Sequence, residues 1–243
     1  MNNPSGDLQR LNDSLQKQWG ISNTKISLKV LKTLQYNLRK GKWCVTCAVF
    51  NETNEIINIW PGFLNSSLYG IAIDLGSTTI AAHICDLSTG EIINSSGIMN
   101  PQIRFGEDLM SRVSFSMMNE DGTEKLKDAV QETLNELCKK LIKDSKIDHK
   151  LVVEISIVCN PVMHHLLLGI NPIELGQAPF ALATSDSLYF KSEELALNSL
   201  LNSTVFILPC IAGHVGADAA AVVLSEAPNE SNETVLILSL IHI

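Results

Sequence analysis

The sequence predicts an α/β protein in which a lobe with a mixed sheet follows a smaller α/β unit. Three observations carry that expectation. Apolar segments of strand length alternate with helical ones through the second half of the chain. Three strand-length segments follow one another directly between Leu68 and Ile98. A turn-rich stretch, Pro61-Gly62 and Asn65-Ser66-Ser67, separates them from what precedes, dividing the chain into a small unit at 1–66 and a lobe at 67–237. With 243 residues, 45% of them hydrophobic and 18% charged, the chain can bury a globular core.

Leu8, Leu11, Leu15 and Trp19 recur at helical spacing and predict an amphipathic first helix. A second short helix is expected near 28–38. After Gly41 come a strand at 43–50, a polar turn at 51–54 and a strand at 55–60. In the lobe, strands are expected at 68–74, 78–85 and 91–98, the last two joined by Ser88-Thr89-Gly90. Helices follow at 106–117 and 123–142, the second with Leu126, Val130, Leu134, Leu137 and Leu141 on one face. Strand 151–158, helix 162–168, strand 205–208, helix 217–224 and strand 234–237 complete the alternation.

Eighteen Lys and Arg against 26 Asp and Glu give a formal net charge of −8, which offers no basic face for a nucleic acid. The N-terminus has no basic region followed by an apolar core, and no apolar run approaches bilayer-spanning length, so a cytoplasmic protein without membrane contact is expected. Six cysteines scattered through apolar segments suit reduced core thiols. Cys44-Val45-Thr46-Cys47 falls in an alternating strand, where positions three apart take opposite faces, so these two thiols are expected to diverge and bind no iron.

The run Ile71-Ala72-Ile73-Asp74-Leu75-Gly76-Ser77-Thr78-Thr79 is an apolar strand that ends in an acid, a glycine and three hydroxyl residues at a hairpin. Glycine lets backbone amides approach an oxyanion, hydroxyls add donors, and Asp74 can hold a hydrated Mg²⁺. An ordinary tight hairpin, with its hydroxyls satisfying turn amides, accounts for the same residues. His164 and His165, adjacent on a helix, point about 100° apart and do not form a chelating pair; one is expected to cap or pack, the other to face solvent or a partner. Arg104, Glu107 and Asp108 stand near a helix start, where a capping network explains Glu107, while Asn100, Gln102 and Arg104 stay open.

Asp74-Leu75-Gly76-Ser77-Thr78-Thr79 resembles the first phosphate loop of the actin, Hsp70 and sugar-kinase superfamily, in its usual place between the first two strands. Asn100-Pro101-Gln102-Ile103-Arg104-Phe105-Gly106-Glu107-Asp108, Met163-His164-His165-Leu166-Leu167-Leu168-Gly169 and Pro209-Cys210-Ile211-Ala212-Gly213-His214-Val215-Gly216-Ala217-Asp218 narrow it. Together they are similar to reductive activators of corrinoid proteins, over nearly the whole chain; the first helix and the region around Trp43 resemble that family's middle domain.

The resemblance implies a ribonuclease H-like lobe of actin/Hsp70 type that binds ATP and Mg²⁺, with Asp74, Gly76, Ser77, Thr78 and Thr79 contacting phosphate and the metal. Asp218 then matches the acid that orients the attacking group at the γ-phosphate; its plainer role is to stabilise a helix N-terminus, worth about 0.3–1 kcal/mol. The implied activity is ATP-driven transfer of one electron from a 2Fe-2S cluster to a cobalt(II) corrinoid, in a partner protein of a methyltransferase system. The cluster is expected only in a ferredoxin-like domain outside this chain, which lacks the Cys-x₄-Cys-x₂-Cys array. The resemblance leaves room for a homodimer. Cys159-Asn160 departs from the family's usual Gly-Asn. Residues 238–243 resemble a translated sequencing adapter, which makes the chain a fragment expected to be inactive alone and to bind Mg-ATP no tighter than millimolar. A small-molecule kinase of the same superfamily and a non-catalytic corrinoid-protein docking module are the rival readings.

Overall fold

The computed structural model describes residues 4–200, 203–230 and 234–237. The chain falls into two compact units, Met1–Leu68 and Tyr69–Ile243.

In the first unit, α1 (Asp7–Trp19), β1 (Lys25–Ile26), α2 (Leu28–Lys40), β2 (Val45–Phe50) and β3 (Glu55–Pro61) form a three-stranded sheet of order β1-β3-β2 with two helices. Leu11 and Leu15 of α1 and Val30, Leu34 and Leu38 of α2 bury against Ile56 and Ile59 of β3. Trp19, expected on the apolar stripe, is 75% exposed. Gly20, at φ 70°, ends α1 and its amide returns to the carbonyl of Gln16. Ile21 then packs on the core in place of Trp19. The strand expected from residue 43 begins only at Val45, because Lys42 and Trp43 take positive φ as the chain leaves α2. Cys44 is therefore not on the strand and is exposed, whereas Cys47 is half-buried and burial pushes its thiol up to about 11. The guanidinium groups of Arg10 and Arg39 lie 5.3 and 5.0 Å from the Trp43 ring centroid.

The second unit has the expected α/β class with a mixed sheet. Its strands are β4 (Tyr69–Leu75), β5 (Thr79–Asp86), β6 (Ile92–Met99), β7 (Val152–Cys159), β8 (Leu188–Lys191) and β9 (Thr204–Ile207), in the order β6-β5-β4-β7-β9-β8. β4, β5 and β6 form an antiparallel meander, β7 and β9 run parallel to β4, and β8 closes the far edge antiparallel to β9. The helices are α3 (Leu109–Met118), α4 (Gly122–Ser145), α5 (Pro161–Leu168) and α6 (Ala217–Glu226). Strand alternation decides the core: Ile71, Ile73 and Leu75 of β4, Ile80 and Ile84 of β5, and Ile155 and Ile157 of β7 share a cluster with Leu126, Val130, Leu134, Leu137 and Leu141 of α4. Each such side chain contributes about 1.5–3 kcal/mol on burial.

Two expectations fail here. Residues 234–237 form no strand, and Val235 and Leu236 stay exposed. The edge of β9 is paired instead with β8, a strand too short to stand out in the sequence. The helix expected from residue 106 starts at Leu109, since residues 101–104 form a separate 3₁₀ turn and Asp108 caps α3. The tail at 238–243 lies outside the described residues. Among the described residues no helix is long and apolar enough to cross a membrane.

Candidate functional site

The loop between β4 and β5 closes tightly. A Cβ on Gly76 would sit 2.4 Å from the carbonyl oxygen of Thr79, so only glycine fits this turn. Three successive loop carbonyls are tied inward. Asn100 Nδ2 donates to Gly76 O (2.9 Å), Arg112 Nη2 to Ser77 O (2.5 Å) and the Asn100 amide to Thr78 O (2.8 Å). A trans peptide directs its N–H opposite to its C=O, so the amides of Ser77, Thr78 and Thr79 turn away from that floor. Thr78 and Thr79 are exposed and Ser77 half-exposed. Such a row of outward amides can receive an anion.

Asn100, Gln102 and Arg112 are fully buried beneath the loop. Asn100 Oδ1 accepts from the Gln102 amide (3.0 Å), and Gln102 Nε2 donates to Leu126 O (2.8 Å). Burial lowers the Arg112 guanidinium to about 10, Asp108 opposing that shift. Among the described residues no carboxylate ion-pairs with Arg112.

Asp74 stands at the carboxyl end of β4, opposite Val158 of β7, and Asp218 lies in the first turn of α6. A Cβ on Gly216 would meet the Cys159 carbonyl oxygen, the Asn160 Cα and Asp218 Oδ1, each at 2.6 Å, so the start of α6 passes directly over the end of β7. Desolvation, then the negative charge of Asp218, push the Asp74 carboxyl above its ordinary value, and His83 on β5 offsets part of this. The Cys159 thiol is raised by burial first and by Cys210, Asp218 and Asp74 after it. The fold thus gathers Asp74, Gly76, Ser77, Thr78, Thr79 and Asp218 at the carboxyl ends of the parallel strands β4 and β7, where open α/β sheets bind ligands.

A carboxyl whose charge is disfavoured by burial and by a neighbouring carboxylate fits a divalent cation. Mg²⁺ binds through one or two carboxylates, substrate phosphate and waters. A shallow concavity lined by Gly70, Cys85, Leu87 and Glu154 lies toward the other end of β4, away from these groups.

One histidine packs as expected, but the expectation that the other faces solvent or a partner is overturned. Both are buried: His165 Nδ1 lies 2.9 Å from the Pro161 carbonyl and Nε2 accepts from the Ala183 amide, while neither ring nitrogen of His164 has a hydrogen-bond partner among the described residues. Helix α5 is covered on all sides, which an eight-residue apolar segment does not announce. Asp108, not Glu107, supplies the cap of α3, accepting from the Ser111 amide at 2.7 Å. Arg112 and His83 were not singled out by sequence, although His83 shares the alternation phase of Asp74 across the β4–β5 pairing.

Comparisons with known proteins agree along the chain. A family model described as the RACo middle region matches residues 69–229, and one described as the RACo linker region matches residues 1–66. The corrinoid activation enzyme RamQ of Eubacterium limosum is 34% identical over 172 residues, covering 70% of this chain and 29% of that protein. A solved structure of a reductive activator for corrinoid, iron-sulfur protein matches with a TM-score of 0.83 at 30% identity, covering 96% of this chain and 37% of that one. The chain therefore spans well under half the length of either relative.

Proposed function

The chain belongs to the RACo family of reductive activators of corrinoid proteins, and on that premise we propose that it is the linker (1–66) and first nucleotide-binding lobe (67–237) of an ATP-dependent activator. In this reading the whole protein works in the cytoplasm, using ATP to drive one electron from a 2Fe-2S cluster, held outside this chain, onto a cobalt(II) corrinoid in a methyltransferase system. The supporting observation is the meeting of Asp74 and Asp218, far apart in sequence, beside three outward amides.

Each residue then has a task. The amides of Ser77, Thr78 and Thr79 hold phosphate oxygens, with the hydroxyls as further donors. Asp74 would hold a hydrated Mg²⁺, and Asp218 would orient the attacking group. Bound Mg²⁺ supplies the positive charge that relieves the two carboxylates and neutralises phosphate.

Residue-resolved NMR of the 243-residue chain tests this, because it registers binding even in the millimolar range. Mg-ATP should shift the amide resonances of 74, 76–79 and 216–218, and Asp74→Ala should abolish the Mg²⁺ dependence. Shifts confined to other regions would remove the proposed site.

A further inference from the structure

Arg112 is the one element of this floor that neither the motif nor its spacing explains. Its side chain has no solvent exposure, yet it donates to four acceptors on three segments: Ser77 O in the loop, Gly106 O (3.0 Å) and Gln102 Oε1 (3.2 Å) in the connection before α3, and Met163 Sδ (3.1 Å) on α5. Burying a cation without an acidic partner is costly, and an apolar side chain of similar volume fills such a space at lower cost. A planar fork that reaches several acceptors at once also distinguishes arginine from lysine here.

We propose that Arg112 is a positioning residue for phosphate: it clamps the Ser77 carbonyl so that the Thr78 amide faces outward, and it sets a buried positive charge behind that peptide. The inference rests on the phosphate-loop reading above. The Ser77–Thr78 peptide accepts from Arg112 at its carbonyl, and its N–H, on the other side, would donate to phosphate. A charge-assisted bond on one side of a peptide strengthens the donor on its far side. Asn100 makes the flanking carbonyl contacts without a charge.

The probe is inorganic tripolyphosphate with Mg²⁺, titrated into the whole chain while backbone amides are followed by NMR. Arg112→Met keeps much of the volume and removes the donors and the charge. It should weaken the binding read at residues 77–79 about two- to tenfold, less than a direct charge-assisted bond because the Arg112–Ser77 bond is present with and without phosphate, and move the Ser77 carbonyl carbon resonance, while resonances of β7 stay in place. Arg112→Lys, which restores the charge and part of the donor set, should recover part of the affinity, a rescue that a space-filling role does not predict. If Arg112→Met does not fold, Arg112→Lys against the unaltered chain decides: several-fold weaker binding supports the proposal, and equal affinity overturns it. Undiminished shifts in a folded Arg112→Met chain overturn the proposal and leave the phosphate-loop reading standing. No shift at 77–79 in the unaltered chain removes that reading, and the proposal with it.

Discussion

Replacing Gly76 by alanine isolates the tight closure of the β4–β5 hairpin. The added methyl would lie 2.4 Å from the Thr79 carbonyl oxygen, against ordinary contact beginning near 3.4 Å, so backbone must give way by most of an ångström. Neither group is a flexible side chain end. Overpacking of this kind costs about 1–3 kcal/mol, and for a chain of this size each kcal/mol lowers Tm by about 2–4 °C, so Gly76→Ala should lower Tm by roughly 2–12 °C. Gly97→Ala on β6 is the matched control, because its methyl would rest at an ordinary 3.5 Å from Ile80 O. Relieved of glycine's entropy in a strand, that variant should be neutral or gain up to about 1 kcal/mol. Thermal unfolding followed by circular dichroism compares the two directly. A Gly76→Ala chain that melts at or above Gly97→Ala would refute the close approach, and with it the argument that the loop demands glycine.

Asp74→Asn should stabilise the chain at neutral pH: a carboxyl raised above its unfolded value disfavours folding when charged, and this cost disappears as pH falls through the raised folded value toward 3.8. Urea denaturation at pH 7 and near pH 3.5 should show the gain at the first and not the second, and Mg²⁺ should stabilise the unaltered chain alone. Asn100→Ala leaves the Gly76 carbonyl and the Gln102 amide without their partners, a loss of about 2–4 kcal/mol visible as a lower urea midpoint. Limited alkylation near neutral pH should modify exposed Cys44 before Cys47, whose thiol is held up to about 11; peptide mass mapping reads the order, and equal rates would contradict the burial of Cys47.

The meander and the long helix were legible because their signals are local. Alternation placed Ile71, Ile73, Ile80 and Ile84 on one face, and spacings of three and four placed Leu126 to Leu141 on another. The loop acids stood out because each sits at a segment end beside glycine. Arg112 did not, since an arginine in a helix of mixed polarity reads as solvated, and only the packing of α3 under the loop reveals otherwise. Burial of both histidines likewise depends on what surrounds α5. The apolar run at 234–237 matched a strand in every local respect, yet among the described residues it pairs with no strand, and pairing depends on partners that no local pattern encodes.

The order in which the sheet is built has a consequence in time. β4, β5 and β6 are joined by short turns, so their pairing closes small loops and forms early, whereas the β4–β7 ladder spans the whole of α3 and α4 and waits for a larger entropic cost. Asp218 comes later still, after β9. A chain emerging from the ribosome thus assembles its row of amides well before the second carboxylate arrives to oppose the first. On the proposed function, an anion at that stage would meet the loop without Asp218, and the arrival of α6 would add the acid whose charge a metal ion would offset.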